Sequence, residues 1–141
     1  MNPAARQAGE LIRSRAIGRI LGTTVYSTTA GFGRTIPAAA RYLEDPAVGM
    51  NLTTIQTAHT IDFALRLTGP LSSLSALTTV QYPGLTVADM GTRVHRTVPD
   101  HVLVQGRFEG GGTLPVQVVG GRPPRGHPSG WTSSGLTEPS R

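Results

Sequence analysis

The segment GMNLTTIQTAHTID, residues 49–62, is the part of the sequence around which the rest of the fold can be worked out. Gly49 supplies flexible backbone, and Asn51 is a good helix N-cap because its side-chain oxygen can accept hydrogen bonds from the first free backbone N–H groups. Apolar residues then recur at helical spacing until Gly69-Pro70, which is typical of a helix end. The segment therefore predicts a helix from Asn51 to about Thr68.

Three polar residues of this predicted helix, His59, Asp62 and Arg66, fall on one face together with apolar residues. A second face is also apolar, so we expect both faces to be buried and the three polar side chains to need partners. His59 is the first candidate for proton transfer, because the unperturbed pKa of histidine lies near neutrality. The alternative is a structural pair of His59 with Asp62 that anchors the helix. For Asn51, a contact with a sugar hydroxyl is the alternative to a capping role.

The flanking sequence predicts an α+β fold. Asn2-Pro3 is a good helix start, and a stripe of apolar residues continues that helix to near Gly18. Residues 37–43 predict a short helical turn. Residues 20–29, 71–82, 101–109 and 113–119 predict strands, with Gly110 to Gly112 as a hairpin turn between the last two. We expect an antiparallel β-sheet with helices packed on one face.

Composition excludes several classes of function. The chain has 141 residues and no cysteine, which predicts one domain without disulfides or thiolate metal sites. All 13 basic residues are arginines, and they are scattered rather than clustered, so we expect no nucleic-acid binding. Without lysine, Schiff-base chemistry and a P-loop lysine are excluded. The histidines outside the helix lack ligand-like spacing, so we expect no metal site.

Neither the N-terminus nor the longest uncharged segment predicts membrane association. The N-terminus lacks the apolar region of a signal peptide. The uncharged segment between Arg66 and Asp89 is interrupted by Pro70 and Pro83, so a membrane span is not expected. A cytoplasmic protein follows as the expectation.

The C-terminal sequence differs in composition from the rest. Residues 1–120 form the predicted domain, and residues 121–141 are a tail rich in Gly, Pro, Ser and Thr, for which we expect disorder. A second hypothesis is a frameshift, because the codons of residues 129–140, moved by two bases, can encode a strand and a tight turn. In that case the sheet is incomplete at its C-terminus, and sequencing the gene decides between the two.

Several of these motifs occur in the order found in one family. Residues 2–20, ending in Ala16-Ile17-Gly18-Arg19-Ile20, are followed by the His59-Thr60-Ile61-Asp62 helix and by the hairpin at residues 108–113. In this order the chain resembles the C-terminal domain of the glucose–fructose oxidoreductase / inositol dehydrogenase (Gfo/Idh/MocA) family. The sequence of residues 51–55 is most similar to that of the branch that contains galactose-regulon repressors.

The resemblance implies a lineage of NAD(P)-dependent sugar or polyol oxidoreductases. In that family NAD or NADP is held by a Rossmann domain, whose glycine fingerprint is missing from this sequence, so no cofactor is expected in this chain. His59 then occupies the position that helps move the substrate proton, whereas Ile55 stands where the family has an acid. The resemblance implies a truncated substrate-binding and oligomerisation domain that is inactive alone, forms a homo-oligomer through its sheet face and pairs with a separate Rossmann-domain subunit. The alternative is a non-catalytic regulatory or protein-interaction module.

Overall fold

The computed structural model describes residues 3–122 and the backbone of residues 130–136. Two α-helices, α1 (Pro3–Arg13) and α2 (Ala58–Thr68), are joined by β1 and by short 3-10 and π-helical turns at Ala38–Glu44, Pro46–Val48 and Thr53–Thr57. The strands are β1 (Arg19–Thr28), β2 (Thr35–Ile36), β3 (Leu71–Thr79), β4 (Gly84–Val87), β5 (Thr92–His95), β6 (His101–Phe108), β7 (Thr113–Val119) and β8 (Gly130–Leu136). This order of elements confirms the predicted α+β class.

The main sheet has five strands in the order β3-β6-β7-β1-β8. Strands β6 and β7 form the predicted hairpin, in which Val104 pairs with Val116. The expectation of a purely antiparallel sheet is wrong at one place, because β1 runs parallel to β7, with Val25 opposite Val116. A parallel pair needs a long connection rather than a hairpin, and here residues 29–112 supply it. Local sequence patterns carry no information about such a pairing.

The helices cover one face of this sheet, called here the inner face. The core on that face consists of alternate residues of the three middle strands together with residues of the α2 region: Val25, Val102, Val104, Phe108, Leu114, Val116, Val118, Leu52 and Ala64. The alternation follows from the pleat, since successive side chains point to opposite faces. Burying one valine or leucine side chain contributes about 1.5–3 kcal/mol, so this inner face is the main source of stability.

A second, three-stranded sheet in the order β2-β4-β5 packs its own small core of Ile36, Leu85 and Val87. Neither β2, with two residues, nor β4 and β5, with four each, was expected from the sequence. Strands this short show hardly one period of the alternation on which prediction depends.

The expectation of a disordered tail is wrong for residues 130–136. These residues form β8, which pairs antiparallel with β1, with Arg19 opposite Leu136 and Tyr26 opposite Gly130. The physical reason is that β1 would otherwise present an edge of unpaired backbone N–H and C=O groups. Backbone pairing does not depend on side-chain identity, so the frameshift hypothesis stays a prediction. Residues 123–129 and 137–141 lie outside the described residues.

Candidate functional site

The candidate site is built on the N-terminal end of α2 and the turns before it. Asn51 caps this end as predicted: its Oδ1 accepts hydrogen bonds from the backbone N–H of Thr53, at 2.9 Å, and of Thr54, at 3.2 Å. The Thr54 hydroxyl in return accepts a bond from the Asn51 N–H at 3.0 Å. The Asn51 side-chain oxygen is therefore hydrogen-bonded to the backbone, and its contact with a sugar hydroxyl stays a prediction.

The first turn of the predicted helix is π-helical rather than α-helical. The N–H of Thr57 bonds to the carbonyl of Leu52, five residues earlier, at 2.9 Å, and the Thr57 hydroxyl donates to the same oxygen. The extra residue in this turn changes the phase of the helix that follows, so that Thr57, Thr60 and Ala64 face the core. Such turns inside helices are frequent at functional sites.

Because of this phase change, the expected burial of the three polar side chains of α2, called here the polar stripe, is wrong. His59, Asp62 and Arg66 are all exposed rather than buried. Asp62 accepts a 2.8 Å hydrogen bond from Arg66 Nε, and both side chains of the pair are more than half exposed. The proposed anchoring pair of His59 with Asp62 is thus replaced by a pair of Asp62 with Arg66.

The charges of the stripe determine what it can do chemically. The hydrogen bond from Arg66 is the main reason that the pKa of the Asp62 carboxyl lies below its ordinary value, and the charges of Arg66 and His59 act in the same direction. Asp62 consequently stays ionised near neutral pH and is a poor proton donor. His59 lies on the solvent side of α2, where it can reach a molecule bound against this face.

A hydrogen bond between the π-helical turn before α2 and the sheet fixes the position of the site. The side-chain amide of Gln56 donates a 2.9 Å hydrogen bond to the hydroxyl of Ser27, near the end of β1. The N-terminus of α2 therefore lies at the same end of the sheet as the loop that follows β1. Among residues 3–122, no group of three or more histidine, aspartate or glutamate side chains could hold a metal ion.

A buried ion cluster lies at this end of the fold, and nothing in the sequence pointed to it. Arg96 donates two hydrogen bonds to the carboxylate of Glu44, at 2.7 and 2.6 Å, and one to Asp100 at 3.1 Å. Its remaining bonds go to the backbone carbonyls of Phe32 and Gly33, at 2.6 and 3.1 Å. We call Arg96, Glu44 and Asp100 the buried ion cluster.

The buried ion cluster joins elements that are far apart in sequence. Its side chains are 0–4% exposed. Burial alone lowers the pKa of Arg96, but the hydrogen bonds and charges of Glu44 and Asp100 outweigh burial and raise it. Asp100 also accepts bonds from the backbone N–H of Gln81 and Tyr82. The cluster therefore holds the 3-10 turn at 38–44, the loop after β1 and the start of β6 in one arrangement.

The outer face of the main sheet, opposite the helices, forms a shallow cavity of about 520 Å³. Its apolar lining includes Leu77, which is 59% exposed, and Leu103, which is 43% exposed, along with Tyr26 and Pro115. None of the residues that line it is charged. An exposed patch with an uncharged, largely apolar lining is typical of a protein–protein contact surface.

An α+β domain in which helices cover one face of a mixed sheet is the C-terminal-like domain that occurs in Gal80 and in Gfo/Idh/MocA-type dehydrogenases. The chain belongs to the family of the Gal80p C-terminal domain, which matches residues 3–134. No helix within the described ranges 3–122 and 130–136 combines the length and apolarity that a bilayer span requires.

Individual relatives come from both branches of this superfamily. The galactose/lactose metabolism regulatory protein GAL80 of Saccharomyces cerevisiae is 30% identical over 131 residues, covering 86% of this chain and 30% of that protein. The dehydrogenase aclE of Aspergillus oryzae is 29% identical over 120 residues, covering 82% and 32%. The chain thus spans about a third of the length of the curated relatives it matches.

Solved structures agree with this assignment. A super-repressor mutant of Gal80p from Saccharomyces cerevisiae superposes with a TM-score of 0.85 at 26% identity, covering 96% of this chain and 37% of that one. Levoglucosan dehydrogenase in complex with NADH and L-sorbose superposes with a TM-score of 0.72 at 22% identity, covering 91% and 34%. The second likeness concerns the fold alone.

Proposed function

We propose that this chain acts as a regulatory, protein-interaction domain of the Gal80p-like branch and does not by itself catalyse hydride transfer. The main support for the proposal is that no acidic side chain on the helix of His59 is available to take part in proton transfer with it. Its neighbouring carboxylate, Asp62, is bound to Arg66 at 2.8 Å, and Ile55 stands where the resemblance places an acid. Proton transfer needs a donor and an acceptor held within hydrogen-bond reach of the reacting group.

The experiment is a turnover assay of the purified chain with NAD and NADP against a panel of sugars and polyols. We expect no change in absorbance at the nicotinamide wavelength above the buffer control. A shift of the chain in sedimentation when a candidate partner protein is added is the second measurement. Saturable turnover that is lost in His59→Ala overturns the proposal.

The outer face supports a homo-oligomer as the first partner. Leu77 and Leu103 lie side by side on paired strands, because Leu77 of β3 is opposite Leu103 of β6. A stable contact buries about 800 Å² per partner, mostly at an apolar centre. The uncharged lining of the cavity on the outer face offers such a centre, and a two-fold axis places the same leucines of both copies against each other.

Analytical ultracentrifugation tests the oligomer. We expect the native chain to sediment as a dimer, and Leu103→Lys to sediment as a monomer because a lysine cannot be buried unpaired at an apolar contact. Leu11→Lys is the matched control, since Leu11 is 46% exposed on α1 and lies away from the outer face. A native monomer, or equal dissociation of both variants, contradicts the homo-oligomer.

A second candidate function is favoured by the exposure of His59. Under this second hypothesis the chain is the substrate-binding domain of an oxidoreductase, and a separate Rossmann-domain subunit binds NAD or NADP. Hydride transfer needs a positioned nicotinamide, which a separate domain would supply across the exposed face of α2. Turnover that requires both subunits and falls in His59→Ala supports this candidate, and an inactive mixture of the two subunits contradicts it.

A further inference from the structure

A cavity of about 660 Å³ lies at the end of the main sheet where α2 finishes. Thr68, the last residue of α2, is part of its wall, whereas His59 is near the first turn of the same helix. Their separation of nine positions corresponds to about 14 Å along the axis. The cavity is therefore distinct from the candidate site, and its volume falls in the range of small-molecule pockets, about 300–1,000 Å³.

The wall of this cavity has an apolar part and a basic part. Ile12, Ile20 and Leu21 supply aliphatic surface, and the basic part consists of Arg15 and Arg19. No carboxylate of residues 3–122 forms an ion pair with either guanidinium. Two guanidinium groups that have no ion-pair partner among residues 3–122, beside aliphatic surface, are suited to a ligand with one anionic end and an apolar body.

The backbone of Arg15 gives independent support. Arg15 lies just past the end of α1 with a φ of 56°, in the left-handed region. The N–H of Ala16 bonds to the carbonyl of Leu11, and the N–H of Arg15 bonds to the carbonyl of Ile12. This is the Schellman arrangement, and Arg15 occupies the position that glycine usually takes.

An arginine at that position costs stability, because its Cβ is strained in the left-handed conformation, where glycine is not. Strained residues of this kind concentrate at binding and active sites. Arg15 is one of the residues that line the cavity, so its side chain is available to a ligand bound there.

The hairpin turn keeps the second arginine in place. A Cβ on Gly111 would come within 3.3 Å of Arg19 Nη1, so the glycine leaves room for the Arg19 side chain to cross the turn. The carboxyl ends of both helices, at Arg13 and Thr68, also lie at this end of the sheet and bring partial negative charge. That field disfavours a doubly charged anion more strongly than a singly charged one.

From these observations we propose that this cavity binds a small amphipathic carboxylate, with its carboxylate group held by Arg15 and Arg19. The apolar body of the ligand lies on Ile12, Ile20 and Leu21. Nothing in this binding depends on His59 or on the outer face of the sheet.

The test is calorimetric titration of the full chain with octanoate, octanamide and inorganic phosphate. We expect saturable binding of octanoate and at least about tenfold weaker binding of octanamide, which has the same apolar body without the charge. Inorganic phosphate is expected to bind more weakly than octanoate. In a ¹⁵N spectrum, octanoate should shift the amide signals of Gly18, Gly110 and Gly111.

Variants locate the binding. Arg15→Gly removes the guanidinium and relieves the left-handed strain, so this variant should melt at the native temperature or above while binding octanoate at least about tenfold more weakly. Arg19→Gln should weaken binding similarly, and Arg93→Gln, which removes the same charge from β5, should leave it unchanged. Equal affinity for octanoate and octanamide, phosphate binding as tight as octanoate, unchanged binding in Arg15→Gly and Arg19→Gln, or no octanoate binding at all each overturns the proposal.

Discussion

Replacing Arg96 by methionine tests the buried ion cluster. The native guanidinium makes five hydrogen bonds, to the carboxylates of Glu44 and Asp100 and to two backbone carbonyls. Methionine fills a similar volume but leaves two buried carboxylates without their counter-charge. Removing one partner of a buried ion pair costs about 3–5 kcal/mol, a large share of the roughly 5–15 kcal/mol that stabilises a domain.

The assay is urea unfolding followed by far-UV circular dichroism. With a slope of about 2 kcal/mol per molar urea, a loss of about 4 kcal/mol moves the midpoint of Arg96→Met down by about 2 M. Arg93→Met is the matched control: Arg93 is an exposed arginine on β5, and its loss should change the free energy of unfolding by no more than about 0.5 kcal/mol.

A double variant distinguishes a lost ion pair from lost packing. Arg96→Met combined with Glu44→Leu removes both members of the strongest pair, so its cost should fall short of the sum of the single costs by about 1–3 kcal/mol. If Arg96→Met does not fold, Glu44→Gln gives a milder loss that can still be measured. A cost below about 1 kcal/mol for Arg96→Met, or additive costs in the double variant, would falsify the role assigned to the cluster.

Three smaller changes have defined outcomes. Arg66→Gln should raise the pKa of Asp62 toward its ordinary 3.8. In the native protein the lowered pKa stabilises the fold above the unfolded pKa, and this stabilisation is lost as the pH falls through the folded pKa; in the variant it should be absent at any pH. A carboxyl NMR titration in which the pKa does not move would contradict this. Asn51→Ala should lower the free energy of unfolding by about 1 kcal/mol, whereas Asn51→Asp should retain most of it in the same urea assay. Gly112→Ala should cost more than about 1 kcal/mol, because φ is 94° and a Cβ would lie 2.7 Å from a β1 carbonyl oxygen; Gly110→Ala, with open space around it, should be nearly neutral in urea unfolding.

Local signals predicted the parts of the fold that depend on neighbours in sequence. The hairpin of β6 and β7 follows from alternating apolar residues on both sides of Gly110 to Gly112, and the cap at Asn51 follows from residue type. These features are decided within a few residues, so the sequence contains the information needed to place them.

Features decided across the chain were missed for physical reasons. Exposure of His59 depends on a π turn at Thr53–Thr57, which ordinary helical periodicity does not include. The partner of Arg96 lies 52 positions away at Glu44, and charged residues are normally solvated, so nothing marked either as buried. The resemblance indicated the family, but burial and pairing are decided by the three-dimensional structure.

The parallel pairing of β1 has a consequence for the order of folding during synthesis. Both neighbours of β1 come from the last third of the chain, since Val25 lies between Val116 of β7 and Trp131 of β8. The backbone of β1 therefore stays unpaired until the residues of β7 and β8 have also left the ribosome. Sheets with such distant contacts form slowly, and waiting strands are prone to aggregation. The nascent protein should thus depend on chaperones far more than the finished domain does, and cell-free synthesis with and without them would measure the difference in soluble yield.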